Sequence, residues 1–122
     1  MPPLADTRAI GRYGERVAAA FLRRNGFRIL TRNFQAVAGE IDLVCREGPV
    51  LAFVEVRSRS GEQFGRPAES IDARKEQAFV AAANEYLRLL RRDNLDHRFD
   101  AVEVRLRPGE VPACTLIRNI LA

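Results

Sequence analysis

With 122 residues, 47% of them hydrophobic and 30% charged, the chain has the size and balance of one globular domain able to bury a core without disulfide or metal staples. No apolar run is long enough to span a membrane, and the opening Met1-Pro2-Pro3-Leu4-Ala5-Asp6 lacks the basic-then-apolar pattern of a secretory signal, so a cytoplasmic protein is expected. The net charge of +4 is compatible with a polyanionic partner, and Lys75 is the only lysine among 20 basic residues. Residues 1–122 are expected to form a single domain, with 1–6 as a flexible N-terminal tail.

The first expected element is a helix from Asp6 or Thr7 to Asn25, with Asp6 or Thr7 as N-cap and Gly26 as its stop. Ile10, Gly14, Val17, Ala18 and Phe21 recur at helical spacing and define a buried stripe, with Arg12, Arg16 and Arg23 on the far side. Glu15 falls between them, level with Leu22 at the border of the stripe. It can reach toward a sheet edge, or pair with Arg12 or Arg16 in solvent.

Three strands should follow, Phe27 to Asn33, Glu40 to Arg46 and Val50 to Ser58. In the third, Val50, Ala52, Val54 and Val56 make one face entirely apolar, so that face must be covered by helices. The stretch Arg46-Glu47-Gly48-Pro49 is a polar breaker of hairpin length. Side chains alternate faces along a strand, so a hairpin closed around Gly48-Pro49 sets Asp42 opposite Glu55 and Glu40 opposite Arg57. Facing carboxylates repel, and an ionised acid among β-branched and aromatic neighbours is unfavourable unless compensated. A divalent cation such as magnesium, which takes carboxylate and carbonyl oxygens, would remove the conflict. A solvated sheet face with arginines nearby is the other reading.

The segment Arg59 to Pro67, with Ser60-Gly61, Gly65 and Pro67, reads as a loop beside the acids. Arg57, Arg59 and Arg66 give it a positive rim, suited to a substrate backbone or simply solvated. A second helix should run from Ser70 or Asp72 to Arg92, burying Phe79, Ala82, Ala83, Tyr86 and Leu90 and turning Glu85, Arg88 and Arg92 to water. Lys75 precedes Phe79 by four residues and so lies in line with the apolar stripe. Arg98 to Arg107 alternates as a strand, and Thr115 to Leu121 reads as a final edge strand. Cys45 and Cys114 lack metal-site spacing and read as reduced thiols in strands, while His97 reads as a surface residue. There is no phosphate-cradling glycine loop or nucleophile elbow, and the few aromatics belong to core stripes rather than to a base-stacking platform. The fold class expected is α/β, a mixed central sheet flanked by helices in the order α-β-β-β-α-β-β.

Gly11-Arg12-Tyr13-Gly14-Glu15, Arg32-Asn33, Gly39-Glu40-Ile41-Asp42-Leu43 and Phe53-Val54-Glu55-Val56-Arg57-Ser58-Arg59, followed by Phe64-Gly65, Lys75 and Arg98-Phe99-Asp100, resemble in order the YraN-type family of uncharacterised bacterial proteins. That family is similar to the restriction-endonuclease-like nucleases, and especially to archaeal Holliday-junction resolvases. In those enzymes an acid on the first helix, an Asp and a Glu-x-Lys pair hold magnesium and cleave phosphodiesters. By position, the resemblance implies Glu15, Asp42 and Glu55 as the acids and Arg57 where the lysine is expected. It further implies Mg2+ or Mn2+ held by Asp42, Glu55 and the Val56 carbonyl, with Arg59 and Arg66 on the phosphate backbone. The partner implied is branched or structured DNA, and cutting two strands would suit a homodimer.

Arg57 keeps a positive charge but cannot lose a proton at neutral pH. Lys75 is therefore the candidate source of an ammonium, with a stem snorkelling over apolar surface as its other reading. Three functions stay open from the sequence: a metal-dependent endonuclease, a nucleic-acid-binding module of the same fold without catalysis, and a partner-binding scaffold whose acids are structural.

Overall fold

A computed structural model describes residues 1–60, 73–92 and 94–121. The elements follow in the expected order: α1 Thr7–Arg24, β1 Arg28–Gln35, β2 Glu40–Glu47, β3 Val50–Ser60, α2 Ala73–Leu89, β4 His97–Leu106 and β5 Ala113–Ile117. The five strands form one sheet in sequential order. Only the central pair β3 and β4 is parallel, and a parallel pair needs the long crossover that contains α2. The result is the expected α/β mixed sheet.

The sheet separates two apolar clusters. On one side Leu43, Cys45, Ala52, Val54, Val102, Val104 and Leu106 pack under Ile10, Ala18, Ala19 and Leu22 of α1. On the other, Ile41, Val44, Leu51 and Phe53 pack under Phe79, Ala82, Ala83 and Leu87 of α2. β3 is thus covered on both faces, which is why Leu51 to Val54 is an unbroken apolar run. No helix among the described residues is long and apolar enough to cross a membrane.

Asp6 caps α1, its side chain accepting the Ala9 N–H at 3.0 Å, and the Asp6 N–H donates to the Pro3 carbonyl at 3.1 Å. The buried line of α1 is Ile10, Gly14, Ala18 and Leu22, joined by Ala19; Val17 and Phe21 are only partly covered. This line is rotated from the expected stripe because the closest approach to the sheet runs through the small residues. A Cβ at Gly14 would lie 1.8 Å from Ser58 Oγ. Glu15 therefore sits on the covered side of the helix, one turn before Ala19.

β1 carries a register irregularity between Ile29 and Thr31, so Ile29 packs toward α1 while Thr31 hydrogen-bonds Tyr86 of α2 at 3.0 Å. The β2–β3 hairpin closes as expected over Gly48-Pro49, with φ of 59° at Gly48, the position that type II′ turns reserve for glycine. β3 continues to Ser60, so Arg59 is a strand residue rather than part of a loop. Arg66 and the expected helix start at Ser70 or Asp72 lie outside the described residues. Leu90 is 41% exposed beyond the end of α2, and Leu87 takes its expected place in the core. β5 ends before the stretch expected to be its second half. There the chain turns back, the Ile120 N–H donates to the Phe99 carbonyl at 2.8 Å, and Ile120 and Leu121 cover the α2-side cluster.

Asp100 is fully buried in β4, a position for which the sequence offered no role. Its oxygens accept from Arg98 Nε at 2.8 and 3.0 Å, and Oδ1 also accepts the Asn119 N–H at 3.0 Å. Arg98 reaches on to Glu47, which also takes Arg118 Nη2 at 2.7 Å. Both guanidinium groups lie over the Phe27 ring, at 5.7 and 5.8 Å from its centroid. This network ties the hairpin end of β2 to the start of β4 and to the segment after β5. Hydrogen bonds from Arg118 above all hold the Glu47 carboxyl below its usual range.

Candidate metal centre

At the opposite end of the β2–β3 hairpin, the ladder opens. The paired positions run from Glu47↔Val50 to Leu43↔Val54 and stop there. Beyond that point β2 continues beside β1 as far as Gln35↔Glu40, and β3 continues beside β4 as far as Ser60↔Leu106. The sheet forks between β2 and β3, and Asp42 stands in the fork. One step on from Leu43↔Val54, the same register sets Asp42 opposite Glu55, as the hairpin spacing predicted. The Val56 N–H bonds not to a β2 carbonyl but to Asp42 Oδ2, at 2.8 Å. In an extended strand the N–H and C=O of one residue point to the same edge, so the Val56 carbonyl is turned to the fork as well.

A cavity of about 330 Å3 opens on the α2 side, lined by Gly39, Glu40, Asp42, Glu55, Lys75, Ala78 and Phe79. Asp42 also borders a cavity of about 370 Å3 on the α1 side, with Thr7, Ile10, Gly11, Glu15, Val56, Ser58, Ser60 and Leu4, so part of the expected tail lines it. The structure thus brings Asp42, Glu55 and Lys75 to one cavity and Asp42, Glu15 and Val56 to the other.

Burial of the Asp42 carboxyl is the largest influence on its titration. The Val56 N–H opposes it, the charges of Glu15, Glu55 and Glu40 add to it, and the pKa rises from 3.8 to about 6. An acid destabilised by three neighbouring acids is a site that a cation would relieve. Glu40 is held from the side by Gln35 Nε2 at 2.9 Å. Glu15 has its own orienting group: with its nitrogen turned inward, the Asn33 amide lies 3.3 Å from both Glu15 oxygens. Asn33 has a left-handed φ of 53°, a conformation asparagine tolerates better than most residues. The pair Arg32-Asn33 was visible in the sequence, but only the fold shows that its amide serves Glu15.

Arg57 does not project into the cavity as an unengaged cation. Its Nη2 lies 3.3 Å from Glu55 Oε2, on the same face two residues along β3, with side chains 14% and 29% exposed. Arg59 pairs in register with Arg105 of β4, which puts two guanidinium-bearing residues side by side. Cys45 is buried on the other face of β2, where burial pushes its thiol up to about 12, a structural thiol rather than a ligand. His97, at the start of β4, bonds the Leu95 carbonyl and packs edge-on against Phe53 and Phe99, away from the fork.

Among the described residues, no three His, Cys, Asp or Glu side chains form a ready-made metal cage. The oxygens at the fork are instead two carboxylates and one strand carbonyl. This donor set fits a hard cation of the magnesium type, which binds through one or two carboxylates, keeps several waters and completes its shell with substrate phosphate. It does not fit zinc, which favours histidine and cysteine.

The chain resembles known proteins along most of its length. It is 42% identical over 113 residues to a UPF0102 protein of Symbiobacterium thermophilum, covering 93% of this chain and 96% of that one. It is 50% identical over 101 residues to a UPF0102 protein of an Anaeromyxobacter species, covering 81% and 74%, and 46% identical over 98 residues to one from Hahella chejuensis, covering 80% and 79%. The model of the uncharacterised protein family UPF0102 matches residues 14–104, a span that includes Glu15, Asn33, Asp42, Glu55, Arg57 and Lys75. The chain therefore belongs to the UPF0102 family, the group to which the YraN-type resemblance pointed.

Proposed function

We propose that this protein is a metal-dependent endonuclease acting on branched or otherwise structured DNA. The observation that carries the reading is the forked sheet: Asp42, with its raised pKa, stands where β2 and β3 part, with Glu55 and Lys75 in one adjoining cavity and Glu15 in the other. Asp42, Glu55 and the Val56 carbonyl would hold Mg2+ or Mn2+. Bound there, the cation would polarise a phosphate oxygen and make a coordinated water a better nucleophile. Glu15, steadied by Asn33, would orient a water on the α1 side. The Lys75 ammonium would stabilise charge developing on the phosphate from the α2 side. Arg59, beside Arg105 in the β3–β4 register, would grip the phosphate backbone without reading bases. Arg66 is proposed for the same task from the sequence alone. A chromosomal substrate would place the protein in a bacterial cytoplasm, and paired incisions would suit a homodimer.

The test is cleavage of four-way junctions, forks and plain duplexes with Mg2+, Mn2+ or chelator. Metal-dependent incision that Asp42→Asn abolishes supports the reading. Absence of any salt-sensitive affinity for these DNAs ends it, because phosphate contacts release counterions and make binding fall steeply with salt.

The Arg57–Glu55 ion pair favours a second reading, a DNA-binding module of the same fold without catalysis. In that case the salt-sensitive affinity persists while calorimetric titration with Mg2+ or Mn2+ gives no heat of binding.

A further inference from the structure

Two contacts outside the carboxylate cluster fix where α2 begins over the sheet. The turn from β1 to β2 closes through the Ala36 N–H and the Gly39 carbonyl at 2.8 Å. At Gly39 the chain runs so near α2 that a Cβ there would lie 2.9 Å from the Ala78 carbonyl oxygen and 3.1 Å from Ala78 Cβ. Both residues are partly covered, and a helix backbone cannot swing aside as the tip of a side chain can. Further along α2, Glu85 Oε2 accepts the Val37 N–H at 3.0 Å. Glu85 is half-buried and this bond is open to solvent, although its helical position suggested an acid turned wholly to water. The turn is therefore keyed to the helix at two points, one steric and one polar.

Lys75 precedes Ala78 by three residues and so shares the edge of α2 that Gly39 touches. Gly39, Ala78 and Lys75 line the same cavity as Asp42 and Glu55. We propose that Gly39 and Glu85 are positioning residues: they lock α2 against the β1–β2 turn and so hold the Lys75 ammonium at the carboxylates of the fork. A helix that slips by one residue moves about 1.5 Å along its axis. A misplacement of about 1 Å is enough to lower catalysis on the order of 10²-fold. The inference rests on the metal reading above, and its test separates the two.

Lys75 is the only lysine, so reductive methylation with isotope-labelled formaldehyde labels one side chain besides the N-terminal amine and keeps its charge. Bound Mn2+ broadens nearby resonances with the inverse sixth power of distance. In the parent protein the Lys75 methyl signal should broaden strongly on Mn2+ addition and the N-terminal signal much less. Gly39→Ala and Glu85→Ala should each reduce the Lys75 broadening severalfold with Mn2+ affinity unchanged. Glu85→Gln, which keeps an acceptor for the Val37 N–H, should restore it. Equal broadening in parent and variants overturns the positioning role and leaves the metal reading intact. A parent that binds no Mn2+ overturns both. Should Gly39→Ala fail to fold, the contrast between Glu85→Ala and Glu85→Gln decides.

Discussion

Replacing Asp42 by asparagine should stabilise the protein at alkaline pH while removing its response to metal. The folded-state pKa of Asp42, about 6, lies above the ordinary 3.8. The contribution of this group to folding is then fully present below about pH 4 and is lost as the pH rises through about 6. The difference amounts to about 3 kcal/mol against the fold once the carboxylate is fully ionised. Asparagine carries no charge to repel Glu15, Glu55 and Glu40, and its carbonyl oxygen can still accept the Val56 N–H. The weaker bond to a neutral acceptor is already contained in the shift, so the expected gain at pH 8 is about 3 kcal/mol, a rise in Tm of roughly 8–15 °C for a chain of this length. At pH 4 the gain should vanish, because the parent side chain is then protonated. Thermal melts of parent and Asp42→Asn from pH 4 to 8, with and without Mg2+, measure both effects. A hundredfold excess of Mg2+ over its Kd should return about 2.7 kcal/mol to the parent and nothing to the variant, closing the gap. An Asp42→Asn protein that melts at or below the parent at pH 8 would refute the electrostatic account. Equal Mg2+ stabilisation of both proteins would refute the metal assignment.

Three further outcomes are expected. Asp100→Ala leaves the half-buried Arg98 guanidinium with Glu47 alone and strands the Asn119 N–H, so urea unfolding should show a loss of about 2–3 kcal/mol, and a loss well under about 1 kcal/mol would mean the network contributes little. Asn33→Gly suits the left-handed backbone at that position, so stability should stay within about 1 kcal/mol of the parent while cleavage falls; unchanged cleavage would mean that Glu15 is oriented by something other than the amide. Lys75→Ala should abolish cleavage with calorimetric Mg2+ affinity intact, and Arg57→Lys should not lower the rate; full activity in Lys75→Ala would return the cationic role to Arg57.

Much of the fold was legible because its signals are local. The Gly48-Pro49 breaker set the β2–β3 register, and that register alone brought Asp42 opposite Glu55. The helices announced themselves by periodicity, and Ile10, Gly14 and Ala18 of the expected α1 stripe are buried, yet Ala19 and Leu22 complete the line in place of Val17 and Phe21. Apolar size suggests burial, whereas close approach to a sheet favours a line of small residues. Asp100, Asn33 and Glu85 were not legible because each owes its role to a partner elsewhere in the chain: Asn119, Glu15 on another element, and Val37 across 48 residues. Polar residues in alternating strands or on helix surfaces read as solvated until the fold supplies those partners.

The two ends of the β2–β3 hairpin explain each other. A ladder that opens at Leu43↔Val54 leaves strand edges whose N–H and C=O groups need partners, and the Asp42 side chain supplies one by taking the Val56 N–H. Such an opening would tend to propagate toward the turn if the far end were loose. It is not: Glu47, the last residue of β2, is held by Arg98 and Arg118, and Arg98 is anchored in turn by the buried Asp100. Pinning one end of the hairpin lets the other stay parted, with a carboxylate that burial first and acidic neighbours second make unfavourable to ionise, by about 3 kcal/mol. Asp100→Ala should therefore do more than lower global stability. It should also raise amide hydrogen exchange in the β2–β3 ladder from the Glu47 end, while the fork end, already open, changes least. Exchange that instead rises uniformly across the sheet would show that the clamp and the fork are energetically independent.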